Sequence, residues 1–499
     1  MKQIFPIALI QLDRENETPL YQQIANGLRE SILNNMIPPG TKLPSHRDLT
    51  QMLDVSRNTV VNAIDQLISE GYITARVGAG SFVSNALPDD FLISTKHSKF
   101  FTKNKGTIAP LSSRGKQLVK NYNPRWHLPK HDNHNLFRNG LPERKSFPFP
   151  IWEKISKKYL FYQSEKIFDF NPDPAGYIPL RKNLAEYLQI ARAVKCDENQ
   201  IMMITGIEQA IYLAARLLTN PGDNVWVEEP GFPGAARAFQ AAGNQIIPIP
   251  VDDNGFDIEY AIQKAPDAKI VYVSPSHQFP IGSTLSLKRR LALLKWAESN
   301  DAWIIEDDYD SEYRYNERPL PALQGLDKTG RVIYCGTFNL TLFPGIRLDY
   351  IVLPENLFPH FLAARTILDI HIPMLNQAII SDFIEEGHFI RHIRKMRKIY
   401  ARRRDVLLQA IKDHPTELLS AGQANCGVYI CGFLKPHISD EMVFEFAGNH
   451  GIEVLPLSRF YIGEKPEMGL VLGYASCEPQ QIQWGISKII DILESLEKP

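Results

Sequence analysis

Tyr334-Cys335-Gly336-Thr337-Phe338-Asn339-Leu340-Thr341-Leu342-Phe343-Pro344-Gly345-Ile346-Arg347-Leu348 is flanked and overlapped by two apolar runs, residues 331–336 and 349–353. Each run is short and almost continuously apolar, the pattern of a strand buried on both faces. The polar Asn339 and the Pro344-Gly345 break place a loop between them. The same texture extends towards the N-terminus. Runs at residues 201–205, 224–228, 245–251, 269–274 and 302–306 alternate with helical patterns from about Asn139 onward. Such alternation predicts an α/β domain with a mostly parallel sheet. Ligands of such sheets bind where loops leave the carboxyl ends of strands. Gly206, Pro230-Gly231-Phe232, Pro275-Ser276-His277-Gln278, Asp307-Asp308-Tyr309 and Asn339 all fall at those ends.

With 499 residues the chain is too long for one ordinary domain. Its composition is globular, with 44% hydrophobic and 22% charged residues and a net charge of −1. That excludes disordered and collagen-like classes. The longest apolar runs fall short of a membrane span, and the N-terminus lacks a cleavable signal pattern. Five scattered cysteines with no metal-binding spacing point to reduced thiols, a cytoplasmic location and no metal site. Acids and bases nearly balance over residues 1–84, whereas residues 85–138 hold ten Lys/Arg against three acids. Residues 85–136 therefore read as a basic linker, either a solvated connector or an unspecific phosphate-attracting one.

The N-terminal 84 residues have a different grammar. Leu20, Ile24, Leu28 and Ile32 share one face of a helix over residues 19–34. Ser45 and Asp48 form a capping-box pattern that opens a short helix ending near Leu53. Asp54-Val55 is the turn, and Ser56 caps a second helix from Arg57 to about Glu70, with Gly71 as its C-cap. Val60, Ile64, Leu67 and Ile68 face inward, leaving Arg57, Asn58, Thr59 and Asn62 outward. Residues 72–83 read as a hairpin with Gly78 and Gly80 at its tip and Arg76 beside a phosphate. A second helix of this kind presents its first turn to base edges in the major groove.

Gly40-Thr-Lys-Leu-Pro-Ser-His-Arg-Asp-Leu, Ser56-Arg-Asn-Thr-Val and Gly78-Ala-Gly-Ser-Phe-Val resemble the GntR-type winged helix-turn-helix. The resemblance implies an α+β DNA-binding module. Its contact candidates are Arg47, Ser56, Arg57, Asn58, Thr59, Arg76, Gly78 and Gly80. From about Phe137 the chain resembles the fold-type I, pyridoxal phosphate-dependent transferase-like domain of MocR-type regulators. The motifs are Gly176-Tyr-Ile-Pro-Leu-Arg181, Pro275-Ser-His-Gln-Phe-Pro-Ile-Gly282 and Ile305-Glu-Asp-Asp-Tyr309, with the opening stretch. This implies a multidomain chain: residues 1–84, the linker 85–136, and an aminotransferase-like domain 137–499 whose smaller part begins near residue 360.

By the same resemblance Asp307 pairs with the cofactor's pyridinium nitrogen, Phe232 stacks on its ring, Tyr309 bonds its hydroxyl and Arg347 binds its phosphate. The family's Schiff-base lysine position holds Leu340, which has no nitrogen, so no catalytic residue is assigned. Ile207, Glu208, Asn339 and Asp349 also depart from the pattern around the phosphate, with Asp349 expected to pair with Arg347. Covalent pyridoxal phosphate is not expected, and the cofactor is held non-covalently or not at all. The reading is a homodimeric regulator of double-stranded operator DNA whose large domain senses a small-molecule effector, with no membrane association. The alternative is an aminotransferase-like protein with residual cofactor binding or transaminase activity. The basic stretch at residues 391–404 reads as a structural helix or as a second DNA-facing surface.

Overall fold

A computed structural model describes residues 10, 12–14, 16, 18–34, 36–76, 79–85, 111–120, 136–162, 164–167, 172–315, 320–414, 416–463 and 466–497. The chain forms two compact units, residues 1–110 and 111–499. The linker expected over residues 85–136 falls mostly outside the described residues; a helix, Ser113–Lys120, is described within it.

In the first unit, helix α1 (Leu20–Leu33) buries Ile24, Leu28 and Ile32 on one face. Helix α2 (His46–Leu53) opens with both arms of the Ser45–Asp48 capping box, and Asp54, at φ +51°, turns the chain out of it. Helix α3 (Arg57–Ser69) starts at Ser56, whose Oγ accepts the Thr59 N–H at 3.1 Å. Its C-cap is Glu70 rather than Gly71, which follows at φ +83°. Val60, Ile64 and Leu67 are buried; Ile68 packs half-buried at the core's edge. Strands β1 (Ile73–Arg76) and β2 (Gly80–Val83) pair antiparallel, and Lys42 bridges to Phe82 as a short third strand. Arg29 clamps α1 to the end of α3 through Glu70, with its Nε donating at 3.0 Å.

The second unit is built on an eight-stranded sheet. Its strands are β3 (Ile201–Ile204), β4 (Asn224–Glu229), β5 (Gln245–Asp252), β6 (Gly255–Phe256), β7 (Ile270–Val273), β8 (Trp303–Asp308), β9 (Val332–Thr337) and β10 (Asp349–Val352). They lie in the order β3-β10-β9-β8-β7-β4-β5-β6. Strands β5, β4, β7, β8 and β9 run parallel, and β10 is antiparallel to both its neighbours. β3, β7 and β10 are buried at every position; β3 and β7 are apolar throughout, whereas β10 opens on the buried acid Asp349.

A second, antiparallel sheet comprises β11 (Leu419–Ala421), β12 (Tyr429–Leu434), β13 (Leu455–Pro456) and β14 (Gly469–Gly473), in the order β11-β12-β14-β13. The start of the unit is tied to this smaller sheet: Leu136 bridges to Ile452, and the Phe137 carbonyl accepts the Gly473 N–H at 2.9 Å. Phe137 itself is fully buried. These ties deliver Asn139 and Gly140 to the rim of the pocket described below.

Candidate functional site

The first candidate surface lies on α3. Arg57, Asn58 and Asn62 are exposed on its N-terminal half, and Arg47 is exposed on α2. Thr59 departs from expectation: it is half-buried, and its hydroxyl lies 2.8 Å from that of Ser56. Ser56 and Thr59 thus close the helix N-terminus on each other, a positioning role for Arg57 and Asn58. In the hairpin, the exposed Arg76 lies with its guanidinium 4.7 Å from the Phe82 ring centroid. Gly80 has φ +105°, a conformation that favours glycine, and a Cβ there would meet Lys42 Cε at 3.3 Å. Gly78 lies outside the described residues. Lys42, which sequence reading left out, has its ammonium 5.9 Å from the Phe82 ring centroid.

The second site is a cavity of about 260 Å³ at the carboxyl edge of the large sheet. All four residues assigned to it from the sequence line it: Phe232, Asp307, Tyr309 and Arg347. Period-two alternation explains Asp307. It is the middle acid of Glu306-Asp307-Asp308, and the two flanking acids face the other side of β8. Glu306 there accepts the N–H groups of Leu323 and Gln324 at 2.7 and 2.8 Å, and Asp308 accepts from Arg192 at 2.6 Å and Tyr334 at 2.7 Å. Asp307 is buried and receives the Tyr272 hydroxyl. Burial pushes its carboxyl up to about 7, the Tyr272 bond opposes this, and Asp349, Asp308 and Glu208 raise it further.

The Tyr309 hydroxyl is already engaged. It donates to the His277 carbonyl at 2.9 Å and lies 2.8 Å from the Tyr429 hydroxyl. Behind it His277 pairs with Asp310 at 2.9 Å, both fully buried. Burial pulls the imidazole down, but the Asp310 carboxylate and Cys426 together outweigh it and raise the pKa well above the usual value. Phe232 stands half-buried at the start of a helix, Pro233–Ala242, its ring tilted 33° against Tyr272. Tyr272, Phe279, Tyr429 and Asn139 also line the cavity and were not assigned from the sequence, and Asn339, which the sequence reading placed at this end, lines it too. Asn139-Gly140 and Tyr429 lie far along the chain from the strand-end clusters, which is why pattern reading passed over them.

The phosphate end departs most from what the resemblance implied. Because β10 is antiparallel, its first residue, Asp349, lies at the carboxyl ends of both neighbours, opposite Ile204 of β3 and Thr337 of β9. Asp349 is buried. Its carboxylate accepts the Thr337 hydroxyl and, at 3.0 Å, the Asn339 amide. The expected Asp349–Arg347 pair is therefore corrected: among the described residues Asp349 bonds across strands, and Arg347 acts on it only through its charge. Burial pushes Asp349 up to about 6, while Thr337, the Arg347 charge and the Ile207 N–H hold it down and Glu208 raises it. Arg347 is exposed at φ +46°, and Glu208 does not turn away from the cavity. Both side chains crowd Gly206, where a Cβ would meet Arg347 Nη2 and Glu208 Oε2 at 3.1 Å each.

Leu340 lines the cavity and packs against the core, and no lysine is among the residues lining it. Pyridoxal phosphate therefore fits in part only. Asp307 suits a pyridinium nitrogen and Phe232 a ring, but nothing here can form the imine. A carboxylate also stands beside the helix N-terminus at Ile207, where a phosphate would be bound. The basic stretch lies in a helix, His388–Asp413, in which Arg403 pairs with buried Glu143 and Arg397 donates to the Glu312 carbonyl. Its inner cations are structural, while Arg391, Arg394, Lys398 and Arg402 face solvent.

Comparison with known proteins matches both units. Residues 20–83 fit the family described as bacterial regulatory proteins, gntR family, and residues 142–489 fit aminotransferase class I and II. The probable rhizopine catabolism regulatory protein MocR of Rhizobium meliloti is 35% identical over 489 residues, 98% of this chain and 97% of that protein. The HTH-type pyridoxine biosynthesis transcriptional regulator PdxR of Corynebacterium glutamicum is 28% identical, covering 97% of this chain and 98% of its own. Among solved structures, a kynurenine aminotransferase of Pyrococcus horikoshii superposes with a TM-score of 0.69 at 28% identity, over 81% of this chain and 99% of that one. Full-length matches of this kind, together with the two units in this order, place the chain in the MocR-type family of transcriptional regulators, a GntR-family helix-turn-helix joined to a fold-type I aminotransferase-like domain.

Proposed function

We propose that this regulator binds double-stranded operator DNA through its first unit and answers to a small molecule held in the pocket of its second, without Schiff-base chemistry. The observation that carries the reading is the exposed first half of α3, with Arg57, Asn58 and Asn62 outward on a helix start fixed by Ser56. Arg57 and Asn58 then read base edges, while Arg47, Arg76, Gly78 and Gly80 are assigned to phosphate contact. Ser56 and Thr59 set the helix start. The domain boundaries follow the sequence reading: 1–84 for the DNA-binding module, 85–136 for the linker and 137–499 for the sensor.

A homodimer is part of the proposal, since paired half-sites suit paired modules. Phe161, Tyr162, Ile190 and Ile367 of the second unit are large apolar side chains left exposed, which a partner copy would be suited to cover. None of the described helices is long and apolar enough to cross a membrane, in keeping with a cytoplasmic regulator. Transamination finds no support in a pocket with Leu340 at its reactive position.

The test is duplex selection from a random library with the full chain, followed by fluorescence anisotropy on the selected sequence. Arg57→Ala is expected to weaken binding by about 1–3 kcal/mol and relax preference at one base position. Arg76→Ala is expected to weaken all sequences alike and flatten the salt dependence. Failure to enrich any sequence would sink the reading. Borohydride treatment with pyridoxal phosphate, followed by mass spectrometry, should leave no specific adduct; one lysine labelled stoichiometrically would reopen catalysis.

A further inference from the structure

The pocket's polar groups are unequally divided. Asp307, Asp349 and Glu208 supply carboxylates, and Arg347 is the one cation among the described lining residues. Asn339 adds an acceptor. Its amide nitrogen is committed to Asp349 at 3.0 Å, which fixes the orientation of the group, because the reverse would set oxygen against carboxylate. Its Oδ1 is buried with no hydrogen-bond partner. A buried acceptor of this kind calls for a donor from a ligand.

The end of the pocket that could take an anion is already filled by the protein's own. Thr337 and Asn339 donate to Asp349, and the first N–H of the helix Ile207–Leu218 faces it. The partial positive charge of a helix start is thereby spent on a side chain. A phosphate dianion entering there would meet Asp349 and Glu208 together, with Arg347 alone to offset them. The walls between are aromatic: Phe232, Tyr272, Phe279, Tyr309 and Tyr429. Aromatic faces together with carboxylates recognise planar rings and cations.

We infer that this pocket takes a phosphate-free organic cation, a protonated amine carried on a planar ring, with Asp307 and Asn339 accepting its N–H groups and Asp349 closing the pocket to phosphate esters. The inference rests on reading the second unit as an effector sensor. In that arrangement Asp349 is a selectivity residue: it gives the pocket its own counter-ion to the helix start and so rejects ligands that bring another.

Pyridoxamine and pyridoxamine 5′-phosphate differ by one phosphoryl group and make a matched pair of probes. Titrated calorimetrically into the full-length protein, pyridoxamine is expected to bind at least tenfold more tightly than its phosphate ester. Asp349→Gly is expected to abolish or reverse that preference, and Asp349→Asn, which keeps the shape, to narrow it. Asp307→Asn is expected to weaken pyridoxamine at least tenfold. Equal or tighter binding of the ester by the unaltered protein overturns the inference, as does failure of both probes to saturate. Because the unaltered protein decides these outcomes, a variant that misfolds does not rescue the idea. DNA anisotropy on the same preparation separates the two readings: ligand binding that leaves DNA affinity unchanged sinks the sensor reading and leaves the ligand class standing.

Discussion

The DNA-binding module and the ligand pocket both resemble known patterns, yet they have fared differently. In the module the described structural parts of the pattern are present: both arms of the Ser45–Asp48 box, the Ser56 cap, the Arg29–Glu70 clamp and the glycine at φ +105°. In the pocket the frame persists, with Asp307, Tyr309, Phe232 and Arg347 around one cavity, while Leu340 lines it without a nitrogen and Asp349 stands beside the helix start at Ile207. The frame survives because it is also the core of the fold. Asp307 is the penultimate residue of a buried central strand and Tyr309 anchors a hydrogen-bonded group with His277 and Tyr429, so both have structural work independent of any cofactor.

This comparison can be strained hardest by attacking the frame of the second unit. Arg192 and Asp308 form a buried pair at 2.6 Å, and Arg192 also donates to Ser276 at 2.7 Å. Arg192→Met would leave the Asp308 carboxylate without its cation, at a cost of about 3–5 kcal/mol. Differential scanning calorimetry should show the transition of the second unit falling while that of the DNA-binding unit stays in place. A common fall of both would mean that the two units unfold as one.

Acidity distinguishes the two regions next, with opposite signs. In the second unit burial raises Glu228 to about 8, Asp307 to about 7 and Glu306 to about 7. A carboxyl whose folded value is raised binds its proton more tightly in the folded state. Its stabilising contribution is complete below the unfolded value and is lost as pH rises through the folded one. In the first unit burial tends to raise Glu70, but the Arg29 and Gln66 bonds prevail and its value is lowered. That contribution is present above the unfolded value and is lost as pH falls through the folded one. The midpoint of the second unit should therefore rise between pH 8.5 and pH 6 (round values of about these magnitudes bracket the raised groups), while that of the first is flat there and falls only in acid. Parallel slopes would contradict the assignment of charge to the two regions.

What the sequence disclosed follows the same division. The seven principal strands of the large sheet were readable because their runs are short and mostly apolar, as in strands buried on both faces, although β5 is itself largely half-buried. The helix-turn-helix was readable because caps and turns use particular residues at fixed offsets. The smaller sheet was not read strand by strand: β11 and β13 are short, and antiparallel strands give a weaker pattern. The pocket was half legible. Strand-end acids and aromatics announced themselves, but Tyr429 meets Tyr309 from 120 residues away. The partner of Asp349 was misjudged for a related reason. Proximity in sequence favoured Arg347, whereas the register of an antiparallel strand put it across from Thr337.

The gentlest probe concerns the caps, since the comparison holds that the module keeps its pattern because each element carries energy. Ser45 accepts the Asp48 N–H at 3.2 Å, and the Asp48 carboxylate returns to the Ser45 N–H at 3.3 Å. Ser45→Ala removes the first bond and leaves a helix N–H to solvent, for a loss of about 1 kcal/mol. Because Ser45 is exposed, no cavity or strain adds to that figure. Denaturant unfolding should show a lower midpoint for the first unit with unchanged slope. Fraying would be confined to α2, so operator affinity should fall only through Arg47, which that helix carries, and base preference set by α3 should be preserved. A change in base preference instead would mean that α2 positions the recognition helix more directly than its cap suggests.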